Sequence, residues 1–183
     1  MLMWNSFLRG VKRIFCKRQI WLISDTHFDH VNIIKYCHRP FHSVQEMNST
    51  LVANWNSQVR RKDIVYFLGD WSFGRDSRPA RYWRHRLNGH IISIKGGHDR
   101  PDWRMHYRKY TKLRYDGTTY LLVHDPTSHI AQNWHGWVIH GHKHNNNLSY
   151  PLINAGHKTI NVSVELTDYS PLKIQDVIGR DKA

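Results

Sequence analysis

Cysteine is scarce in this chain, and only Cys16 and Cys37 are present. Two thiols exclude a disulfide framework and a cysteine-built metal knuckle, and they are expected to be reduced, as in a cytoplasmic protein. Acidic residues are also few, with 14 Asp+Glu against 27 Lys+Arg and a formal net charge of +13. That surplus points to anionic partners: a phosphate ester, a nucleotide or nucleic acid, or an acidic membrane face. It also fits a solubilising surface. No apolar run approaches the roughly 20 residues of a membrane-spanning helix. Arg9, Gly10, Lys12 and Arg13 break up the N-terminal apolar residues, so no secretory signal is expected there. Internal repeats, low-complexity tracts and clear linkers are absent as well.

What is present suffices for a core. Hydrophobic residues make up 40% and aromatic residues 13% of 183 positions, which argues against disorder in the bulk of the chain. Residues 1–18 read as an accessory amphipathic helix, with Trp4, Phe7, Leu8, Val11, Ile14 and Phe15 at three- and four-residue steps. Three placements stay open for it: docked on the domain, lying at an anionic membrane surface, or a mobile tail. Residues 19–183 read as one α/β domain. Its expected strands are Ile20–Ser24, Ile64–Leu68, Ile91–Ile94, a hairpin of Leu113–Tyr115 and Tyr120–Val123 about Asp116-Gly117, Trp137–Ile139 and Ile160–Leu166. A short helix is expected over Ile33–His38. A Ser43-x-x-Glu46 capping box starts the next, with Met47, Leu51, Trp55 and Val59 on one face. Pro79 opens an Arg-rich helix in which Tyr82 and Trp83 either stack bases along a phosphate backbone or simply pack into the core.

Polar clusters follow five of these strands: Asp25-Thr26-His27, Gly69-Asp70, Gly96-Gly97-His98-Asp99, His124, and His140-Gly141-His142-Lys143-His144. In α/β sheets a site forms at the carboxyl ends of strands, so these loops are expected to converge. The 15 histidines matter through this placement rather than through their number. Carboxylates and neutral imidazoles together suit manganese, iron, zinc, nickel or cobalt better than calcium. His140 is expected to face the core or bond to backbone. Asp29, His30, His38 and His42 are expected at the surface or behind the ligands.

Asp25-x-His27, Gly69-Asp70, Gly97-His98-Asp99, His124 and Gly141-His142-x-His144, in this order, resemble the motifs of calcineurin-like metallophosphoesterases, the small single-domain bacterial and phage members especially. The resemblance implies a two-sheet β-sandwich flanked by helices. It implies two divalent metal ions, manganese first, with iron, zinc, nickel, cobalt or magnesium as alternatives. Asp25, His27, Asp70 and His144 would hold the first ion; Asp70 would bridge to a second bound by His124 and His142. His98 would act as general acid, oriented by Asp99, while metal-bound hydroxide attacks a phosphomonoester or phosphodiester. Short loops between the motifs leave no room for a cap domain, and an open site favours diesters, nucleotides or nucleic-acid ends. One position departs from the family pattern: Gly97 stands where an Asn amide oxygen serves the second ion. The second site is therefore expected to be weak. The alternative is a catalytically weakened nucleic-acid- or membrane-binding module.

Overall fold

Short apolar runs bounded by turn residues become strands here because both of their faces are buried. In the computed structural model, which describes residues 17–178, β1 (Ile20–Ile23) leads through α1 (Val31–Tyr36) and α2 (Val44–Gln58) to β2 (Ile64–Phe67). The chain continues through α3 (Ala80–Arg84) to β3 (His90–Ile94) and β4 (Tyr107–Arg108). A hairpin follows, β5 (Thr111–Tyr115) and β6 (Thr118–Leu122), then α4 (His129–Gln132), β7 (Val138–His140), β8 (Ile153–Asn154) and β9 (Thr159–Asn161). The chain ends its described course with β10 (Leu172–Lys173) and α5 (Ile174–Ile178). The strands form two five-stranded sheets, ordered β10-β1-β2-β3-β4 and β5-β6-β7-β9-β8. β1 to β4 run parallel, as do β6, β7 and β9, so their carboxyl ends share one edge within each sheet. This is the expected α/β fold of two sheets with flanking helices.

The alternation along β1 shows how the layers are built. Leu22 faces the core between the sheets, with Leu68, Ile94, Leu122, Ile139 and Ile160. Trp21 and Ile23 face the other way, onto Met47, Leu51, Trp55 and Val59 of the second helical segment. Ser43 starts α2, its hydroxyl accepting from the Glu46 N–H at 3.1 Å. The reciprocal bond of a capping box shifts by one residue: Glu46 Oε2 accepts from His42 N–H at 2.8 Å. Trp55 is fully buried, and its removal would cost about 3–5 kcal/mol.

One expectation is corrected and one open alternative is narrowed. Ile160–Leu166 is not one strand. β9 stops at Asn161, and Val164–Leu166 turns into a 3₁₀ helix. The intervening residues leave the second sheet for the first: Ser24 N–H donates to Val162 O and Val164 N–H to Ser24 O. The Arg-rich helix offers no open pair of stacking rings. Trp83 is buried against Phe28, with ring centres 4.2 Å apart. Arg86 covers Tyr82 at 3.4 Å and Arg78 lies over the same ring at 4.9 Å. The amphipathic helix expected over residues 1–18 lies, but for its last two positions, outside the described residues. No helix among the described residues is long and apolar enough to cross a membrane.

Candidate metal centre

The loops after β1, β2, β3, β6 and β7 carry the polar clusters, and the structure gathers them at one edge. Among the described residues three groups of ligand-type atoms form there, of which two face each other, Asp25, His27 and His144 against Asp70, His124 and His142, while the third, Cys37, His144 and Glu165, lies behind the first. Within each, one ligand atom per residue lies within 4.8 Å of the others. Asp70 lies between the two facing groups: its Oδ2 is 3.5 Å from His27 Nε2 and 3.4 Å from His124 Nε2. Asp25 Oδ1 is 3.7 Å from His144 Nε2 and 3.9 Å from His27 Nε2. All six residues expected to hold metal are thus brought together.

Backbone geometry reflects what this convergence demands. Asp25, His27, Asp70, His142 and His144 all adopt positive φ, between 48° and 68°. Left-handed backbone is uncommon outside glycine, though Asp and His tolerate it better than most, and it clusters where function imposes a conformation. Glycines supply the close approaches. A Cβ on Gly96 would run into the Asp70 carboxylate, and one on Gly141 into Ser24 Oγ and Asp25 Oδ2. At Gly97 the opposite holds: a Cβ would meet nothing within 4 Å.

The donor atoms fit a cation better than they fit each other. Asp25 Oδ1, His27 Nε2 and His124 Nε2 are buried and have no hydrogen-bond partner. Buried polar atoms normally find one, so an unpaired convergent set is a signature of a ligand site. His27 Nδ1 is unpaired as well, whereas the supporting atoms of the other ligands are held. His124 Nδ1 lies 2.8 Å from Leu68 O, and His144 Nδ1 lies 2.9 Å from Glu165 Oε1. Those bonds leave Nε2 of each imidazole aimed at the centre, the arrangement that orients histidine ligands. Asp25 Oδ2 accepts from His142 N–H at 2.9 Å and Ser163 Oγ at 3.0 Å, while Asp70 Oδ1 accepts from His98 N–H at 2.9 Å.

The protonation pattern of the metal-free chain carries the same message. Burial pushes the Asp70 carboxyl up, but the hydrogen bond and charge of His124, with His27 behind them, outweigh it and hold it low. Burial lowers His27 to about 3, so it is neutral. For His124 and His144 burial also acts downward, yet carboxylates beside them win and raise the two to about 9 and about 11. Protons on these imidazoles supply positive charge that a cation would replace, releasing them on binding.

His98 is exposed, with its ring 4.3 Å from that of Phe73 and 5.5 Å from that of His27. Asp99 does not take the position expected of it. Its carboxylate accepts from three backbone N–H groups, Asp70 and Gly96 through Oδ2 at 3.0 and 2.8 Å and Trp71 through Oδ1 at 2.9 Å. It therefore ties the β2 and β3 loops together instead of orienting the His98 imidazole. His140 is buried with Nδ1 2.8 Å from Gly141 O, as expected. The Asp29 carboxylate accepts from Asn48 Nδ2 and the Arg78 N–H, and the Asp29 N–H donates to Asn48 Oδ1. The half-buried His30 packs on the rings of His27 and Phe73 at 5.4 and 4.8 Å, and His38 and His42 are exposed.

Sequence reading missed the supports behind the first group. Arg39, 4% exposed, donates to Asp25 O at 2.7 Å, to Thr26 O at 2.9 Å and to Glu165 Oε1 at 2.6 Å. Burial alone would raise the Glu165 carboxyl, but His144 and Arg39 bring it down to about 2. Arg39 and Glu165 are 126 positions apart, and neither belongs to a spaced motif that would signal the pairing.

No protein-family model matches the chain. A solved protein of unknown function from Aquifex aeolicus shares the fold, with a TM-score of 0.70 at 23% identity over 90% of this chain and 100% of that one. A solved archaeal phosphodiesterase is a more distant likeness, at TM-score 0.45 and 17% identity over 79% of this chain and 82% of that one. The Gene 66 protein of Mycobacterium phage D29 is 33% identical over 86 residues, 45% of this chain and 41% of its own. An uncharacterized protein of Methanocaldococcus jannaschii is 48% identical over 163 residues, covering 88% of this chain and 90% of that one. The chain belongs to the family of this Methanocaldococcus protein.

Proposed function

We propose that the chain is a metal-dependent phosphoesterase of the calcineurin-like metallophosphoesterase type, hydrolysing phosphomonoesters or phosphodiesters. The observation that supports this reading is the pair of ligand groups with the Asp70 carboxylate lying between them and with buried donor atoms on both sides lacking any partner. Asp25, His27, Asp70 and His144 would hold one divalent cation, and Asp70, His124 and His142 a second. Such a pair of cations neutralises phosphoryl oxygens and makes a coordinated water acidic enough to act near neutral pH.

The protein's own contribution is positional and electrostatic. Asp99 fixes the Asp70 and Gly96 backbones, so the shared carboxylate meets both groups at once. Glu165 and Arg39 hold the His144 ring and the Asp25 backbone. His98 stands exposed beside His27, anchored through its N–H to Asp70. From there it would hold a proton for the leaving oxygen, which is the requirement for a general acid. Asp99 plays no part in that proton transfer.

The test is hydrolysis of an aryl phosphomonoester and an aryl phosphodiester by the full chain. Chelation and dialysis should abolish turnover, and Mn(II), Ni(II) or Co(II) should restore it. Undiminished turnover by metal-free protein would remove the proposal.

A further inference from the structure

Next to the second ligand group a cleft of about 710 Å³ opens, bounded by Gly97, His124 and His142 at its inner end. Its wall carries Ile130 and the 43% exposed Tyr110 over the buried Val123, together with the polar residues Asp125, Ser128 and His129. A volume of that order accommodates a small organic ligand. Its rim carries Lys95 and Lys109. The parallel register pairs Ser93 with Tyr107 and Ile94 with Arg108, so it brings Lys95 and Lys109 side by side at the end of the ladder. Lys95 N–H donates to Arg108 O at 2.8 Å, which keeps the two strands together there. Both lysines are exposed, and neither is in an ion pair with an acidic side chain among the described residues. Adjacent like charges on neighbouring strands are unfavourable unless something offsets them. An anionic group bound between them would do so.

Resting on the phosphoesterase reading, we infer that this cleft selects nucleotides bearing a second phosphoryl group. The base lies against Tyr110 and Ile130. The terminal phosphoryl group would reach the metal centre past Gly97, where water adds to its phosphorus, the phosphoanhydride bond to the bridging oxygen breaks and the nucleoside monophosphate leaves with a proton from His98; the inner phosphoryl group sits between Lys95 and Lys109. An apolar patch with one accessible aromatic ring suits the flat face of a base, which stacks with little regard to its identity. Asp125, Ser128 and His129 offer polar partners to the ribose, and a lipid phosphate would not need the paired lysines. The missing side chain at Gly97 keeps the passage between cleft and centre open. This placement also replaces the stacking role considered for Tyr82 and Trp83, whose rings are covered.

The experiment combines binding and turnover on the full chain, with and without Mn(II). Adenosine 5′-diphosphate and adenosine 5′-monophosphate are titrated by calorimetry, and hydrolysis of adenosine 5′-diphosphate is compared with that of p-nitrophenyl phosphate. The diphosphate should bind at least about tenfold more tightly than the monophosphate. Tyr110→Ala and Lys109→Ala should each raise the dissociation constant and the KM for the diphosphate roughly tenfold. Both variants should leave kcat, metal content and p-nitrophenyl phosphate turnover within about threefold. Tyr110→Phe should bind as the unaltered chain does, since stacking needs the ring alone. Aryl phosphate turnover without nucleotide binding would overturn the cleft assignment and leave the reaction standing. Nucleotide binding lost on Tyr110→Ala, in a chain that hydrolyses nothing, would keep the cleft and remove the reaction. Equal losses on both substrates in the two variants would also overturn the assignment.

Discussion

Replacing Gly97 by Asn asks whether the second cation lacks a ligand. The resemblance places an amide oxygen at this position, and the structure shows space for one. A Cβ at residue 97 would meet nothing within 4 Å, and the residue is not among those with positive φ. Substitution at an exposed site of this kind should change stability by no more than about 0.5 kcal/mol. The existing second group offers Asp70, His124 and His142, three protein ligands, which suffices for many catalytic metals. Even groups behind the ligands change metal affinity by about 10- to 100-fold. A fourth donor in direct contact should therefore tighten the weaker site by at least about tenfold, or roughly 1.4 kcal/mol. Calorimetric titration with Mn(II) should resolve one strong and one weak site in the unaltered chain and two strong sites in Gly97→Asn. Turnover of p-nitrophenyl phosphate, which does not use the cleft, should rise in parallel at low Mn(II). A folded Gly97→Asn chain whose two affinities match those of the unaltered protein would refute the reasoning.

Other consequences can be checked separately. His98→Ala should slow esters with poor leaving groups by about 10²-fold or more and activated phenols far less, with metal content unchanged; equal losses would argue for a binding role. Glu165→Gln should weaken the first site about 10- to 100-fold, read by Mn(II) titration, because it removes the carboxylate behind His144. Asp63 accepts from the Gln19 and Arg60 N–H groups and from Trp21 Nε1. Burial acts upward on its carboxyl, but these three donors prevail and hold it below its usual value of 3.8. A carboxyl depressed by folding adds stability that is present above that value and is lost as the pH falls through the lower folded one. Asp63→Asn should therefore cost about 1.5–3 kcal/mol at neutral pH and flatten the acid limb of a denaturation series.

The fold was legible where local pattern and burial agree. β1, β2 and β3 stood out as apolar runs cut off by Asp, Gly and His, and α2 by its Ser43 start and its Met47, Leu51, Trp55 stripe. The six residues expected as ligands were legible because each sits at a strand end, the one place where loops distant in sequence must meet. Their positive φ values were foreshadowed only by composition, since Asp and His accept that backbone more readily than other side chains. What stayed hidden depends on contacts across long sequence separations. Arg39 and Glu165 look like ordinary charged residues until the 3₁₀ turn at Val164–Leu166 carries Glu165 behind His144. The apolar run from Ile160 suggested a single strand because periodicity cannot show that Ser163 leaves one sheet to reach Asp25 in the other. The family resemblance implied a partnership of Asp99 with His98, whereas the Asp99 carboxylate turns to the Asp70, Trp71 and Gly96 N–H groups. The exposed Tyr110 and the paired Lys95 and Lys109 carried no motif and became visible only through the β3–β4 register.

The central claim is that one carboxylate serves two cations, and metal stoichiometry after Asp70→Asn tests it most directly. Equilibrium dialysis against Mn(II), followed by elemental analysis, should show two ions per unaltered chain at saturating metal. His142→Ala should lose the weaker ion and keep the stronger. Asp70→Asn should weaken both at once and abolish turnover, since its Oδ2 lies within 3.5 Å of His27 and 3.4 Å of His124. A folded Asp70→Asn chain that holds either ion as tightly as the unaltered protein would contradict the account.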